Sequence, residues 1–181
     1  MPVVSPFPSF KVPDTLPPVL LSSSGDIAGS IASDCFINDT SSRIGNDITP
    51  GTEYNVSRVD FYVSSLTGDI STTGFKVEIW TFSGDNLGSL IATSNETVNL
   101  QATEWNIFTF SSPVILSIGT KYAVVLKRTD GSYDASNHPN LPYANVNWST
   151  GELSNSYYWA SAGTYDADFS SEWTVRLYEP S

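Results

Sequence analysis

The strongest constraint on this chain is a two-residue alternation of apolar and polar side chains. Across Val56–Ser64, Val59, Phe61 and Val63 fall on one side, and Arg58, Asp60 and Tyr62 on the other. GFKVEIWTF repeats the pattern, with Phe75, Val77 and Ile79 set against Lys76, Glu78 and Trp80. Period two marks a half-buried strand. In Trp105–Phe110, Trp105, Ile107 and Thr109 share a face opposite Phe108 and Phe110. KYAVVLKR is nearly continuous in apolar residues from Tyr122 to Leu126, as expected of a strand covered on both faces. Shorter strands are expected at Ile31–Asn38, Leu90–Val98, Val114–Leu116, Asn145–Trp148, Tyr157–Ala160 and Trp173–Glu179. The stretch SSRIGNDITPG reads as turn-rich, and Ser132–Pro142 as a long loop. No segment keeps a 3.6-residue period over ten residues, so little helix is expected.

Short strands separated by turn residues at roughly 8–12-residue spacing imply an all-β, antiparallel β-sandwich, with a jelly roll as the expected topology. The strand WTVRLYE is expected to close the fold beside an early strand. A length of 181 residues suits one such domain. Only 15% of residues are charged, so the outer faces must draw on the 28 Ser and 17 Thr. A net charge of -11 with eight basic residues leaves too few cations to neutralise a phosphate track, which excludes sequence-independent nucleic-acid binding. The single Cys35 excludes a disulfide-stapled scaffold and reads as a buried, inert thiol. No apolar run reaches the roughly 18 residues that span a bilayer, so membrane insertion is not expected.

The start of the chain differs from the rest. Six of the eleven prolines lie at Pro2, Pro6, Pro8, Pro13, Pro17 and Pro18. Proline fixes φ and withholds a donor, so this segment is expected to be extended rather than helical. It lacks the basic start and unbroken apolar core of a signal peptide. Val4, Phe7, Phe10, Val12, Leu16 and Leu20 are too apolar for a solvated linker. A stiff, apolar segment loses little entropy on binding and suits docking. The expected organisation is therefore an extended docking arm over residues 1–30 and a sandwich over residues 31–181.

The series NVSRVDFYVSS, GFKVEIWTFSGDNLGSLIATSN, WNIFTFSSPVILSIGTKYAVVLKRTDG, a late YYW and a closing WTVRLYE resembles the jelly-roll modules of bacterial surface and phage proteins. These are sometimes called choice-of-anchor domains and are similar to carbohydrate-binding modules. The resemblance spans about Asp34 to Glu179 and is most specific at Ser112–Val125. It implies a non-catalytic module that displays or binds. Together with the arm, it implies a structural virion surface protein, such as a capsid decoration protein or a head- or tail-fibre subunit. The arm would then dock on a major capsid or other virion protein, and oligomers, trimers included, are expected. The alternative is a lectin-like module of a cell-surface or host-attachment protein, extracellular or on the cell surface.

Candidate chemistry is sparse. His138 is the only histidine and reads as a surface-loop residue before Pro139, so neither a nucleophilic triad nor a zinc site is expected. The acids Glu53, Asp60, Glu78, Glu96, Glu104, Glu152 and Glu172 are dispersed, and several alternate with core residues as if facing solvent. No glycosidase pair can be named among them, and no enzymatic activity or cofactor is expected. A structural calcium ion could be held at Asp166 and Asp168, since hard cations take clustered loop carboxylates. Sugar rings stack on exposed aromatic faces, so Tyr143, Trp148, Tyr157, Tyr158 and Trp159 are the candidate glycan-binding residues.

Overall fold

The computed structural model describes residues 18–24, 31–37, 40–84, 86–130, 136–144, 153–159, 167–169 and 172–181. These residues form an all-β structure, and no helix occurs among them. In chain order the strands are β1 (Leu20–Ser24), β2 (Ile31–Phe36), β3 (Arg43–Ile48), β4 (Tyr54–Val63), β5 (Ser65–Thr67), β6 (Gly74–Ser83), β7 (Asn86–Thr93) and β8 (Thr97–Val98). They continue with β9 (Glu104–Leu116), β10 (Tyr122–Arg128), β11 (His138–Ala144), β12 (Leu153–Trp159), β13 (Ala167–Phe169), β14 (Glu172–Trp173) and β15 (Val175–Tyr178).

Every pairing among them is antiparallel. A front sheet runs β1-β15-β4-β9. A back sheet runs β13-β12-β3-β10-β6-β7, with β8 also on β6. A third sheet runs β14-β11-β2, with β5 on β11.

The front and back sheets both contribute to one common core. Val59, Phe61, Val63, Phe108 and Leu177 come from the front sheet, and Ile44, Val77, Ile79, Val124 and Leu126 from the back. All except Ile44 and Leu177 lie at positions that alternation or the apolar run of β10 marks as core. Phe61 and Phe108 meet edge to face, with centroids 6.4 Å apart. Such a pair adds about 0.5–1.5 kcal/mol beyond its buried area. Between Val56 and Arg58 the register slips, so Val56 and Val59, three residues apart, both face the core. Across the slip β4 advances two residues, from Val56 to Arg58, while β9 covers five, from Val114 to Thr109, so the extra residues bulge out of β9 and the buried face of β4 is kept. As expected, β10 is central: β3 and β6 flank it, and its apolar side chains are buried on both faces. The closing strand β15 lies between β1 and β4, also as expected.

Several local expectations are corrected. The turn-rich stretch 41–51 contains β3, every residue of which is buried. Its Gly, Asn and Asp have poor strand propensity, but ladders to β10 and β12 on either side override it. The loop expected over 132–142 gives way to β11 from His138 onward. Its prolines at 139 and 142 each withhold a donor, yet the strand still pairs with β2 and β5. His138 is 7% exposed at the start of that strand, not on an open loop. The strands expected at Trp105–Phe110 and Val114–Leu116 are one strand, β9, with Pro113 inside it in the segment opposite the register slip. Leu90–Val98 divides into β7 and β8.

Leu20, expected in the arm, is the first residue of the edge strand β1. Its pairing with Tyr178 ties residues 20–24 to the front sheet. Residues 1–17 and 25–30 of that segment lie outside the described residues, as does the expected strand Asn145–Trp148.

Candidate functional site

The outer face of the front sheet gathers arginines and aromatic rings. The bulge after Val56 leaves Arg58, Asp60 and Tyr62 pointing away from the core. Register then sets Tyr178 beside Arg58, and Arg176 beside Asp60. On the other side, Thr109, Ile107 and Trp105 stand opposite Arg58, Asp60 and Tyr62. Leu20 extends the first rung, because it pairs with Tyr178.

Specific contacts hold this face in place. Arg58 donates from Nε and Nη2 to the two Asp60 carboxylate oxygens, at 2.7 and 2.6 Å. The paired geometry is the strong, planar form of an arginine–carboxylate contact. The hydrogen bond to Asp60 raises the Arg58 pKa above its ordinary value against the opposing effect of burial. The Arg58 guanidinium also lies 4.7 Å from the centre of the Tyr178 ring. Arg176 lies 3.8 Å from the centre of the Trp105 ring, and Tyr62 meets that tryptophan edge-on at 5.6 Å. Around these groups Leu20 is 49% and Ile107 46% exposed. The result is a strip with two guanidinium groups set over aromatic rings and an apolar margin. It can receive flat or apolar groups.

The outer face of the back sheet is different in kind. Phe82, Leu87, Ala123 and Val125 form a second buried apolar cluster, with Trp80 packed against it. Buried charges surround it. Arg43 Nε donates to Glu78 Oε2 at 2.8 Å, and Trp80 Nε1 donates to the same oxygen at 2.9 Å. Lys127 Nζ stands 3.3 Å from Glu78 Oε1. Lys121 pairs with Asp47 and lies 4.9 Å from the Phe82 ring centre. Burial would push the Glu78 carboxyl up, but Arg43, Lys127 and the Trp80 N–H together hold it below its ordinary value. The expectation that Asp60 and Glu78 face solvent is therefore corrected: they are 1% and 5% exposed. Alternation placed them opposite the core, but their cationic and aromatic neighbours cover them.

The expected site residues fall as follows. Val4, Phe7, Phe10, Val12, Leu16, Trp148 and Asp166 lie outside the described residues. Tyr143 is on β11, paired with Ser33 and Trp173. On β12, Tyr157 pairs with Gly45, Tyr158 with Ile44 and Trp159 with Arg43. Asp168 on β13 pairs with Tyr157. Tyr157, Trp159 and Asp168 thus share one corner of the back sheet, while Tyr143 belongs to the third sheet. Among the described residues, no three His, Cys, Asp or Glu side chains converge as a metal site.

The front-face strip was not foreseen as a unit. Its signal was present in pieces: Arg58, Asp60 and Tyr62 alternate on one strand, and Arg176 and Tyr178 are spaced by two on another. Only strand register joins them.

No curated protein matches the chain. Among solved structures, a chain from "Structure of infectious bursal disease virus Gt strain" is similar at 13% sequence identity and a TM-score of 0.23. That similarity covers 99% of this chain and 42% of the viral one. No helix among the described residues is long and apolar enough to cross a membrane. The family described as "Domain of unknown function (DUF4082)" matches residues 33–176, most of the chain. The chain belongs to that family, DUF4082.

Proposed function

We propose that this chain is a non-enzymatic structural protein of a virion surface, a jelly roll held in its assembly by the proline-rich N-terminal arm. The observation that carries this reading is where the arm joins the body. Pro18 and Val19 lead directly into β1, the edge strand of the front sheet. Glu179 N donates to Val19 O at 2.9 Å, which fixes that point to the closing strand. Val19 is 58% and Leu20 49% exposed there, so the apolar character of the arm continues onto the surface. A load on the arm would pass straight into the β1-β15-β4-β9 ladder.

Other features support a display role. The chain passes between front and back sheets at β3–β4, β4–β6 and β9–β10, as a jelly roll does. The buried acids Asp60 and Glu78 are committed to arginine and tryptophan partners, which suits structure more than proton transfer. Removing residues 1–17 is expected to abolish co-sedimentation with particles. The truncated chain should keep its β-type circular dichroism and its melting temperature. Undiminished particle association would overturn the reading.

A second reading, glycan binding, has one observation in its favour. Tyr157 and Trp159 are set beside Gly45 and Arg43 on β12, the strand next to the edge strand β13 of the back sheet. It predicts a glycan-array signal that Trp159→Ala removes without changing the circular dichroism. A blank array for the parent chain rejects it.

A further inference from the structure

We infer that the outer face of the front sheet receives residues 1–17 of a second copy of this chain, making a head-to-tail contact. The inference rests on the arm reading above and names the partner for the arm.

The chemistry of the two surfaces matches. Arg58 and Arg176 lie over the rings of Tyr178 and Trp105, at 4.7 and 3.8 Å from the ring centres, so each guanidinium is positioned before anything binds. Their outer planes are weakly hydrated and take aromatic side chains well. Leu20 and Ile107 supply apolar contact on either side. The arm carries Phe7 and Phe10 among its prolines. Proline-rich segments commonly dock on rigid aromatic surfaces, because they have little conformational entropy to lose.

Electrostatics also favours the arm as occupant. The chain carries -11 overall, so two bodies repel each other. Residues 1–17 hold only Lys11 and Asp14 as charged side chains, and they bring none of that repulsion. On the front face Arg58 is neutralised by Asp60, and Arg176 adds one positive charge, so the strip lacks the acidic excess of the chain as a whole.

Length and direction point to a second copy rather than to the same one. Seventeen residues reach roughly 50 Å at about 3.1 Å per residue when extended. The four strands of the front sheet span only about 15 Å at about 4.8 Å spacing. Pro17 and Pro18 come just before β1, and a proline steers the residue before it to extended geometry, which opposes a tight reversal at the entry to β1. A contact between an arm and a different patch is heterologous, so it closes into a ring or runs on as a chain.

The test is sedimentation velocity on the full chain over a range of concentrations. Three variants are compared: Phe7→Ala with Phe10→Ala on the arm, and Arg176→Glu or Ile107→Glu on the face. Ile107 is half exposed, so its replacement leaves the core intact. The parent is expected to self-associate, and each variant to weaken that at least tenfold. Mixing the arm variant with either face variant should restore a heterodimer and nothing larger, because one intact arm meets one intact face. A parent that stays monomeric, or a mixture that restores nothing, overturns the inference. If the arm variant loses particle binding while both face variants associate like the parent, the arm reading stands and this partner is wrong. If truncation leaves particle binding unchanged while the mixture forms heterodimers, the partner is right and the attachment reading is wrong.

Discussion

Replacing Gly45 with alanine is expected to destabilise the fold by about 3 kcal/mol, the upper end of ordinary overpacking costs. For a chain of this size that lowers the melting temperature by roughly 10 °C. Gly45 lies in the middle of β3, between β10 and β12. A methyl group there would stand 2.6 Å from Val125 Cα and 2.8 Å from Val124 C, and would run into Val124 O. Every one of those atoms is backbone of the central strand. A flexible side chain could swing away from the new methyl, but a ladder shared with both neighbours cannot. Relief would require β3 and β10 to separate, breaking pairs from Tyr122–Ile48 to Lys127–Arg43. Serine at the same position should cost at least as much. Thermal unfolding followed by circular dichroism decides the matter, and an alanine variant that melts within two or three degrees of the parent would show that β3 can shift.

The same strand marks where local pattern stops being informative. In β4 and β6 alternation declares itself, because the buried side chains are large and the residues between them polar. In β3 the buried residues include Asn46 and Asp47 as well as Ile44 and Ile48. No hydropathy pattern separates that from a turn. The partners that bury it, β10 and β12, lie far along the chain. The front-face strip has the same cause. Each strand reveals which side its residues take, but only register brings Arg176 onto Trp105 and beside Asp60. For the candidate glycan residues, the two-residue spacing of Tyr157 and Trp159 could be read, and their neighbours Gly45 and Arg43 could not. The arm was readable as a change in composition. Its junction was not, since Leu20–Ser24 has no alternation to distinguish a sheet edge from an extended linker.

Glu78 shows most sharply why the side of a strand is not its environment, and its removal is the second large effect expected. Glu78→Ala should cost about 3–5 kcal/mol, the range for deleting one member of a buried ion pair. Arg43, 4% exposed in the parent, would lose its main charge partner, and Lys127 and Trp80 would lose acceptors. Glu78→Gln keeps an acceptor for Arg43 and Trp80 but removes the charge, so it should be milder. The order Ala, then Gln, then parent separates the ionic from the hydrogen-bonding part. Acid should act in the same direction. The folded-state pKa of Glu78 lies below its ordinary value, so the folded protein favours the carboxylate. Its contribution is fully present above the unfolded-state pKa, and it is lost as pH falls through the folded one. Parent and Glu78→Gln should therefore differ most at neutral pH and converge in acid. A stability gap between them that stays constant from neutral pH down to pH values below the ordinary carboxylate range would mean that the Arg43–Glu78 charge pair is not what the carboxylate contributes.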